Sequence, residues 1–234
     1  GQHGGKLARL VLPVPRPFGA IPRRSRADGI ATRRAEEDPM DPMDPVIKRS
    51  TSLSQLVAAM RRVTAETDHA GSIVNALSGP VRDAALAKDW VADRHFACDA
   101  EQGFGVHLLH EEPDHSLAVL AVAWLPGRGA PVHDHGTWAV VGGVEGVERN
   151  RHWRRVDDGA RPGYAELREI GADLIGPGEV LPMLPSAIHS VANETEAKTL
   201  SLHVYGVHPN HTERSQYDVA AKTEQAFHFK QEEA

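Results

Sequence analysis

Hydrophobic positions fall into two textures along the chain, and the change between them divides it. From Ser52 onward, Leu53, Leu56, Val57 and Met60 recur at i, i+3, i+4 and i+7, the spacing of one apolar helix face, with Thr51 or Ser52 placed as N-cap. Ile73, Val74 and Leu77 continue the helical period up to Gly79-Pro80. Proline suits the first turn of a helix, so Pro80 predicts the start of a third one carrying Val81, Ala84, Ala85 and Leu86. Beyond a loop at 99–103 the texture becomes short apolar runs, which predict strands over 106–109, 117–124, 138–144, 149–156, 165–170, 179–184, 187–191 and 200–205. Between them lie Pro126-Gly127-Arg128-Gly129, Asp157-Asp158-Gly159, Pro177-Gly178 and Asn193-Glu194-Thr195, each with its own turn chemistry. The pattern predicts a mainly β sandwich or barrel preceded by two or three short helices. The tail after Tyr217 is charged and weakly patterned, with Phe227 and Phe229 placed to fold back on the barrel.

Composition changes this picture at one end only. Residues 1–45 are rich in Gly, Pro and Arg, with Arg16, Arg23, Arg24, Arg26, Arg33 and Arg34 and hardly an acid before Glu36. Such a segment buries too little apolar surface to offset its ordering entropy. It reads as a disordered or non-native extension ahead of a natural start at Met40 or Met43, or as a transit peptide without a clear amphipathic period. One domain is expected over 46–234, with helices at 51–92, a barrel at 104–206 and a tail at 207–234. A net charge of -6 leaves no basic footprint for nucleic acid. No run approaches the roughly 18 apolar residues of a membrane span. Cys98 is the single cysteine, which excludes an intrachain disulfide and fits a cytoplasmic protein, monomeric or a small homo-oligomer.

Candidate chemistry centres on Pro131-Val132-His133-Asp134-His135-Gly136-Thr137-Trp138. If this segment continues as strand into the run at 139–144, His133 and His135 leave one face together while Asp134 points away. His189, on a later strand, is positioned to complete three nitrogen ligands and to leave the other face of a metal open.

Gly127, His133-Asp134-His135 and Gly146 together resemble the first motif of the cupin superfamily, and the stretch from Pro185 to Asn193 is similar to the second. The resemblance implies a double-stranded β-helix, a jelly-roll barrel. Two departures are informative. The glutamate expected after the H-x-H falls at Ala139 or Val140, and Ala187 stands for a glycine with one residue fewer before His189. A three-histidine cupin without the glutamate resembles the cysteine dioxygenase family of thiol dioxygenases, in its bacterial, 3-mercaptopropionate dioxygenase-like branch. Ser201-Leu202-His203-Val204-Tyr205 is similar to that family's Ser-x-His-x-Tyr strand, whose polar side chains alternate toward the barrel interior.

The resemblance implies an Fe(II) enzyme that inserts both atoms of O2 into the sulfur of a small carboxylate-bearing thiol to give a sulfinic acid. It implies His133, His135 and His189 as metal ligands and Ser201, His203 and Tyr205 as a hydrogen-bonded group beside the metal. The cross-link that animal members form to the tyrosine has no cysteine here. The family's carboxylate anchor on the first strand, an Arg or Gln, falls at Val106 or His107, so His107 is a candidate substrate contact. Arg214 resembles the downstream arginine of the second type and favours 3-mercaptopropionate or a related thiol acid over cysteine. Competing expectations are a non-redox metal cupin, isomerase or lyase, and a small-molecule-binding cupin without turnover.

Overall fold

The computed structural model describes residues 50–232, and the extension expected over 1–45 lies outside them. Among the described residues two α-helices precede the β region. Helix α1, Thr51–Glu66, buries the stripe Leu53, Leu56, Val57, Met60 and Val63, as its spacing predicts. Its cap is Ser50, whose side chain accepts the Leu53 amide, so Thr51 and Ser52 fall inside the first turn. Helix α2, Ala70–Ala87, runs through Pro80 without a break, and no third helix starts there. Two things explain this. Gly79 has no Cβ to collide with the proline ring. The stripe Leu77, Val81, Ala84, Ala85 is also continuous and buried, and that burial outweighs one missing amide bond.

Eleven strands follow: β1 Phe104–Glu111, β2 Ala118–Trp124, β3 Gly129–His133, β4 Ala139–Glu145, β5 Glu148–Arg155, β6 Leu167–Ile175, β7 Val180–Met183, β8 Ile188–Ala192, β9 Thr199–Tyr205, β10 Ser215–Asp218 and β11 Thr223–Ala226. They form two sheets with antiparallel neighbours, ordered β1-β2-β9-β4-β7 and β11-β10-β3-β8-β5-β6. The two sheets enclose one interior, which gives a mainly β double-stranded β-helix.

The first sheet is buried on both faces. Along β2, Val119, Ala121 and Ala123 pack against the helices, while Leu120, Val122 and Trp124 face the barrel interior. This is why β2 reads as an unbroken apolar run and not as an alternation. On β9 the alternation survives, because Leu200, Leu202 and Val204 join the helix-side core while Ser201, His203 and Tyr205 take the inner positions. Gly142 of β4 lets α2 approach, since a Cβ there would lie 2.9 Å from Val81 Cγ1.

Three strand expectations need correction. The segment from Pro126 to Gly129 is only partly a turn, because Gly129 already opens β3. The strand expected over 165–170 is β6, shifted and longer, with its seven middle residues exposed. The weakly patterned tail holds β10 and β11, which extend the second sheet beyond β3. Among the described residues no helix is long and apolar enough to cross a membrane.

Candidate metal and substrate site

The H-x-H pair does not share a strand. His133 ends β3, and the chain then leaves the sheet through Asp134, His135 and Gly136 before β4 begins at Ala139. Gly136 turns with φ +64, and a Cβ there would meet the Glu213 carbonyl. His135 nevertheless comes back to the same centre, because the loop is clamped from β10. Asp134 accepts the Ser215 amide at 2.9 Å and the Tyr217 hydroxyl at 2.5 Å, and Thr212 Oγ1 donates to the His135 carbonyl at 2.8 Å. Asp134 does point away from the histidine centre, as expected, and its role is to hold the loop.

His133 and His189 are cross-strand partners in the β3–β8 register, so their side chains leave one face side by side. Ligand nitrogens of His133, His135 and His189 all lie within 4.8 Å of one another, and all three residues are buried. Burial, the largest cause in each case, holds their pKa values far below the ordinary range, that of His133 at about 3. All three are therefore neutral, the form that ligates metal.

Proton placement tests the fit. His133 Nδ1 faces the Pro131 carbonyl at 2.8 Å and His189 Nδ1 faces Asn150 Oδ1 at 3.0 Å. Both partners only accept, so both Nδ1 atoms carry the hydrogens and both Nε2 atoms present lone pairs. Those two lone-pair nitrogens face each other at 3.2 Å. Neither can donate to the other, and a cation between them resolves the conflict. The separation is that of two imidazoles each about 2.1 Å from one ion at roughly a right angle. His135 Nδ1 has no partner in its buried surroundings. The residues fit a divalent metal held by three imidazoles, with Asn150 orienting His189.

Ser201, His203 and Tyr205 form the chain of hydrogen bonds that the sequence suggested. Ser201 Oγ lies 2.9 Å from His203 Nε2, and His203 Nδ1 lies 2.9 Å from the Tyr205 hydroxyl. Trp124 Nε1 donates to Ser201 Oγ at 3.2 Å. Burial alone brings His203 to a pKa of about 3, and burial pushes the Tyr205 phenol up, so one is a neutral base and the other a neutral hydroxyl. The Tyr205 ring sits 5.4 Å from that of His135, which puts the phenol beside the three histidines.

Arg214, just before β10, is buried and reaches the same cavity. Its Nε donates to the Phe227 carbonyl at 3.2 Å, and its guanidinium carbon lies 4.2 Å and 5.3 Å from the ring centres of Phe227 and Phe229. Burial draws its pKa down to about 10, which leaves it a cation at neutral pH. Among the described residues no carboxylate forms an ion pair with it.

His107 is not part of this site. Its Nε2 lies 3.0 Å from the Ala97 carbonyl and its ring packs on His95, on the outer side of β1. Val106 takes the inner position and lines the cavity with Phe104, Leu120 and Val122. The cavity and its mouth, with the solvent space in front of them, hold about 400 Å³ free of atoms. Phe227 and Phe229 close one side, so the tail does fold back on the barrel. The sequence reading missed Asn150, Trp124 and the Asp134–Tyr217 clamp. Only Asn150 had a signal, a polar residue spaced to face the barrel interior early in a strand.

No family model matches the chain. Among solved structures, it is similar to an oxalate oxidase in complex with the substrate analogue glycolate, at 16% identity and a TM-score of 0.36, over 46% of this chain and 53% of that one. It is also similar to an uncharacterized protein with a double-stranded β-helix domain from Klebsiella pneumoniae, at 10% identity and a TM-score of 0.39, over 55% of this chain and 96% of that one. A third is the cupin domain of an XRE family transcriptional regulator from Enterobacter cloacae, at 13% identity and a TM-score of 0.33, over 44% and 96%. The chain spans about half the length of the oxalate oxidase it matches. These overlaps bear on neither activity nor substrate.

Proposed function

We propose that this chain is a non-haem Fe(II) thiol dioxygenase that places both atoms of O2 on the sulfur of a small carboxylate-bearing thiol, 3-mercaptopropionate, cysteine or a relative, and releases a sulfinic acid. The observation that carries this reading is the charge of the cavity. Neutral imidazoles and one buried guanidinium face it, and among the described residues no Asp or Glu does. Fe(II) held by His133, His135 and His189 would supply a Lewis-acidic, redox-active centre. With no carboxylate ligand to cancel that charge, the site calls for an anionic ligand, and a thiolate joined to a carboxylate is anionic at both ends.

The side chains around the cavity divide the work. Among the described residues no partner engages the Arg214 Nη groups, which leaves them for a carboxylate, and the Phe227 and Phe229 rings lie beside its guanidinium. Of Val106 and His107, the two candidates for the resembling family's Arg or Gln position, Val106 lines the cavity and carries no charge, so carboxylate recognition falls to Arg214. Phe104, Leu120 and Val122 exclude water from the reacting end. Tyr205 presents its hydroxyl beside the three histidines, held there by His203 and Ser201. Overall, a thiol and O2 give a sulfinic acid. Sulfur gives up four electrons to the two oxygen atoms, so no separate reductant enters the balance.

The test is a panel of 3-mercaptopropionate, cysteine, mercaptosuccinate and cysteamine added to anaerobically iron-loaded protein, followed by oxygen uptake and product mass. Uptake matched by sulfinate from a carboxylate-bearing thiol is expected, with little from cysteamine. A fully iron-loaded protein that consumes no oxygen with any of them overturns the reading in favour of a non-redox metal cupin or a binding protein.

A further inference from the structure

Phe227 and Phe229, which close one side of the cavity, belong to a strap that two side-chain amides hold in place. Strand β11 ends at Ala226, and residues 227–232 run on outside any strand. Phe227 carries the β10–β11 pairing one step further by donating its amide to the Arg214 carbonyl at 3.1 Å. At the other end the Glu232 amide reaches the Val106 carbonyl of β1 at 2.8 Å, so the strap bridges from the second sheet to the first. Between these points Asn210 takes the peptide groups of Phe229. Its Oδ1 accepts the Phe229 amide at 3.2 Å and its Nδ2 donates to the Phe229 carbonyl at 3.0 Å. Gln102 takes those of Lys230 in the same way, at 2.8 Å and 3.2 Å. A side-chain amide offers a donor and an acceptor side by side, so each of the two stands in for a neighbouring strand.

Phe229 is where this grip meets the site. Asn210 holds its backbone, while its ring lines the cavity and lies 5.3 Å from the Arg214 guanidinium carbon. Phe227 lies 4.2 Å from the same carbon and accepts the Arg214 Nε on its carbonyl. Among the described residues the hydrogen bond of the Arg214 side chain and both its ring contacts therefore come from the strap. An arginine has many rotamers to lose, and without these contacts it would lose its aim. The remaining ties of the strap are few. Lys230 pairs with Asp99 and Glu101 at the surface, where such pairs contribute little, and His208 Nε2 lies 3.1 Å from Gln231 Oε1.

We infer that Asn210 and Gln102 are positioning residues for the substrate carboxylate, which latch the strap across the cavity so that Phe227 and Phe229 aim Arg214 into it. This rests on the reading that Arg214 takes that carboxylate. Neither amide lines the cavity, so both act through the strap. Closure of the strap and binding of a carboxylate then favour each other. A ligand on Arg214 stabilises the latched strap, and loss of the latches lowers the apparent affinity by the fraction of strap that stands open. A thiol without a carboxylate gains nothing from Arg214 and is indifferent to the latches.

The test uses the full chain loaded with iron and kept free of oxygen, so that binding is measured without turnover. Equilibrium dialysis gives the affinity of 3-mercaptopropionate and of cysteamine for wild type, for the double variant Asn210→Ala/Gln102→Ala and for Arg214→Ala, while amide hydrogen exchange follows the strap peptide. In the double variant the strap should exchange about tenfold faster and 3-mercaptopropionate should bind roughly tenfold more weakly. Cysteamine affinity and iron content should stay as in wild type. Each single variant should move the same way by less, and carries the test if the double variant does not fold. Unchanged exchange in the strap overturns the inference, and so does an equal loss for both ligands, which a merely structural role would give. Arg214→Ala separates the two failures. If it weakens 3-mercaptopropionate and the latch variants do not, the inference falls alone; if it too has no effect, the reading of Arg214 as the carboxylate site falls with it.

Discussion

Arg214 is a cation held beside two phenyl rings, and among the described residues its one hydrogen bond is from Nε to the Phe227 carbonyl, which predicts how it discriminates substrates. Arg214→Ala removes a charge-assisted contact worth about 1.5–3 kcal/mol, so KM for carboxylate-bearing thiols should rise roughly 10- to 100-fold. Cysteamine, which has no carboxylate, should show no such change, and equal effects across the panel would take Arg214 out of substrate binding. Glu148, buried at the start of β5, makes a prediction about stability. Burial raises its pKa from 4.5 to about 8 in the fold, so the folded state holds the proton more tightly than the unfolded one. Below the unfolded value both states are protonated and nothing is lost. As pH rises through that window stability falls, by a total on the order of 5 kcal/mol above the folded value. Denaturant melts at about pH 5 and about pH 9 should show wild type losing ground to Glu148→Gln at the higher pH. Parallel losses would mean that Glu148 is already ionised in the fold.

At the scale of elements, what could be read in advance tracks how each element gains its stability. Helix α1 and strand β9 carry their own patterns, one apolar stripe and one clean alternation, and both were legible. Strand β3 was not, because five residues containing Gly129 and Pro131 offer little pattern, and its place is set by pairing with β8 and β10. The four-residue strands β10 and β11 likewise owe their form to the sheet edge that they extend. The convergence of His133 and His135 was foreseen for a reason the structure replaces, since a clamped loop does what a continuous strand was expected to do. The choice between Val106 and His107 was closed to sequence because β1 is buried on both sides and shifts register between Leu108 and His110. Helix α2 offers the cleanest test. Pro80 contributes no amide and sits mid-helix, so Pro80→Ala should restore a backbone bond and raise stability by about 1 kcal/mol or more. A lower melting temperature would show that the proline's rigidity, and not the buried stripe alone, holds the helix in place.

For the whole molecule, the three histidines tie the second sheet to a loop that Thr212, Ser215 and Tyr217 clamp. A divalent metal that binds this arrangement and not the unfolded chain should stabilise the fold by about 2.7 kcal/mol at a hundredfold excess over its Kd. The check is a melting temperature measured with and without chelator, and in His133→Ala, where the shift should vanish. A chelator-insensitive wild type would mean that the three nitrogens hold no metal. The facing of His133 and His189 has one more consequence, for the order of events in folding. They are 56 residues apart in sequence, and the loop carrying His135 waits on contacts from β10, later still in the chain. Ends so distant meet only after much of the closure entropy has been spent, so the centre completes itself late. Metal therefore has no early nucleus to seize. It should leave the refolding rate almost unchanged and act by slowing the escape from the finished barrel.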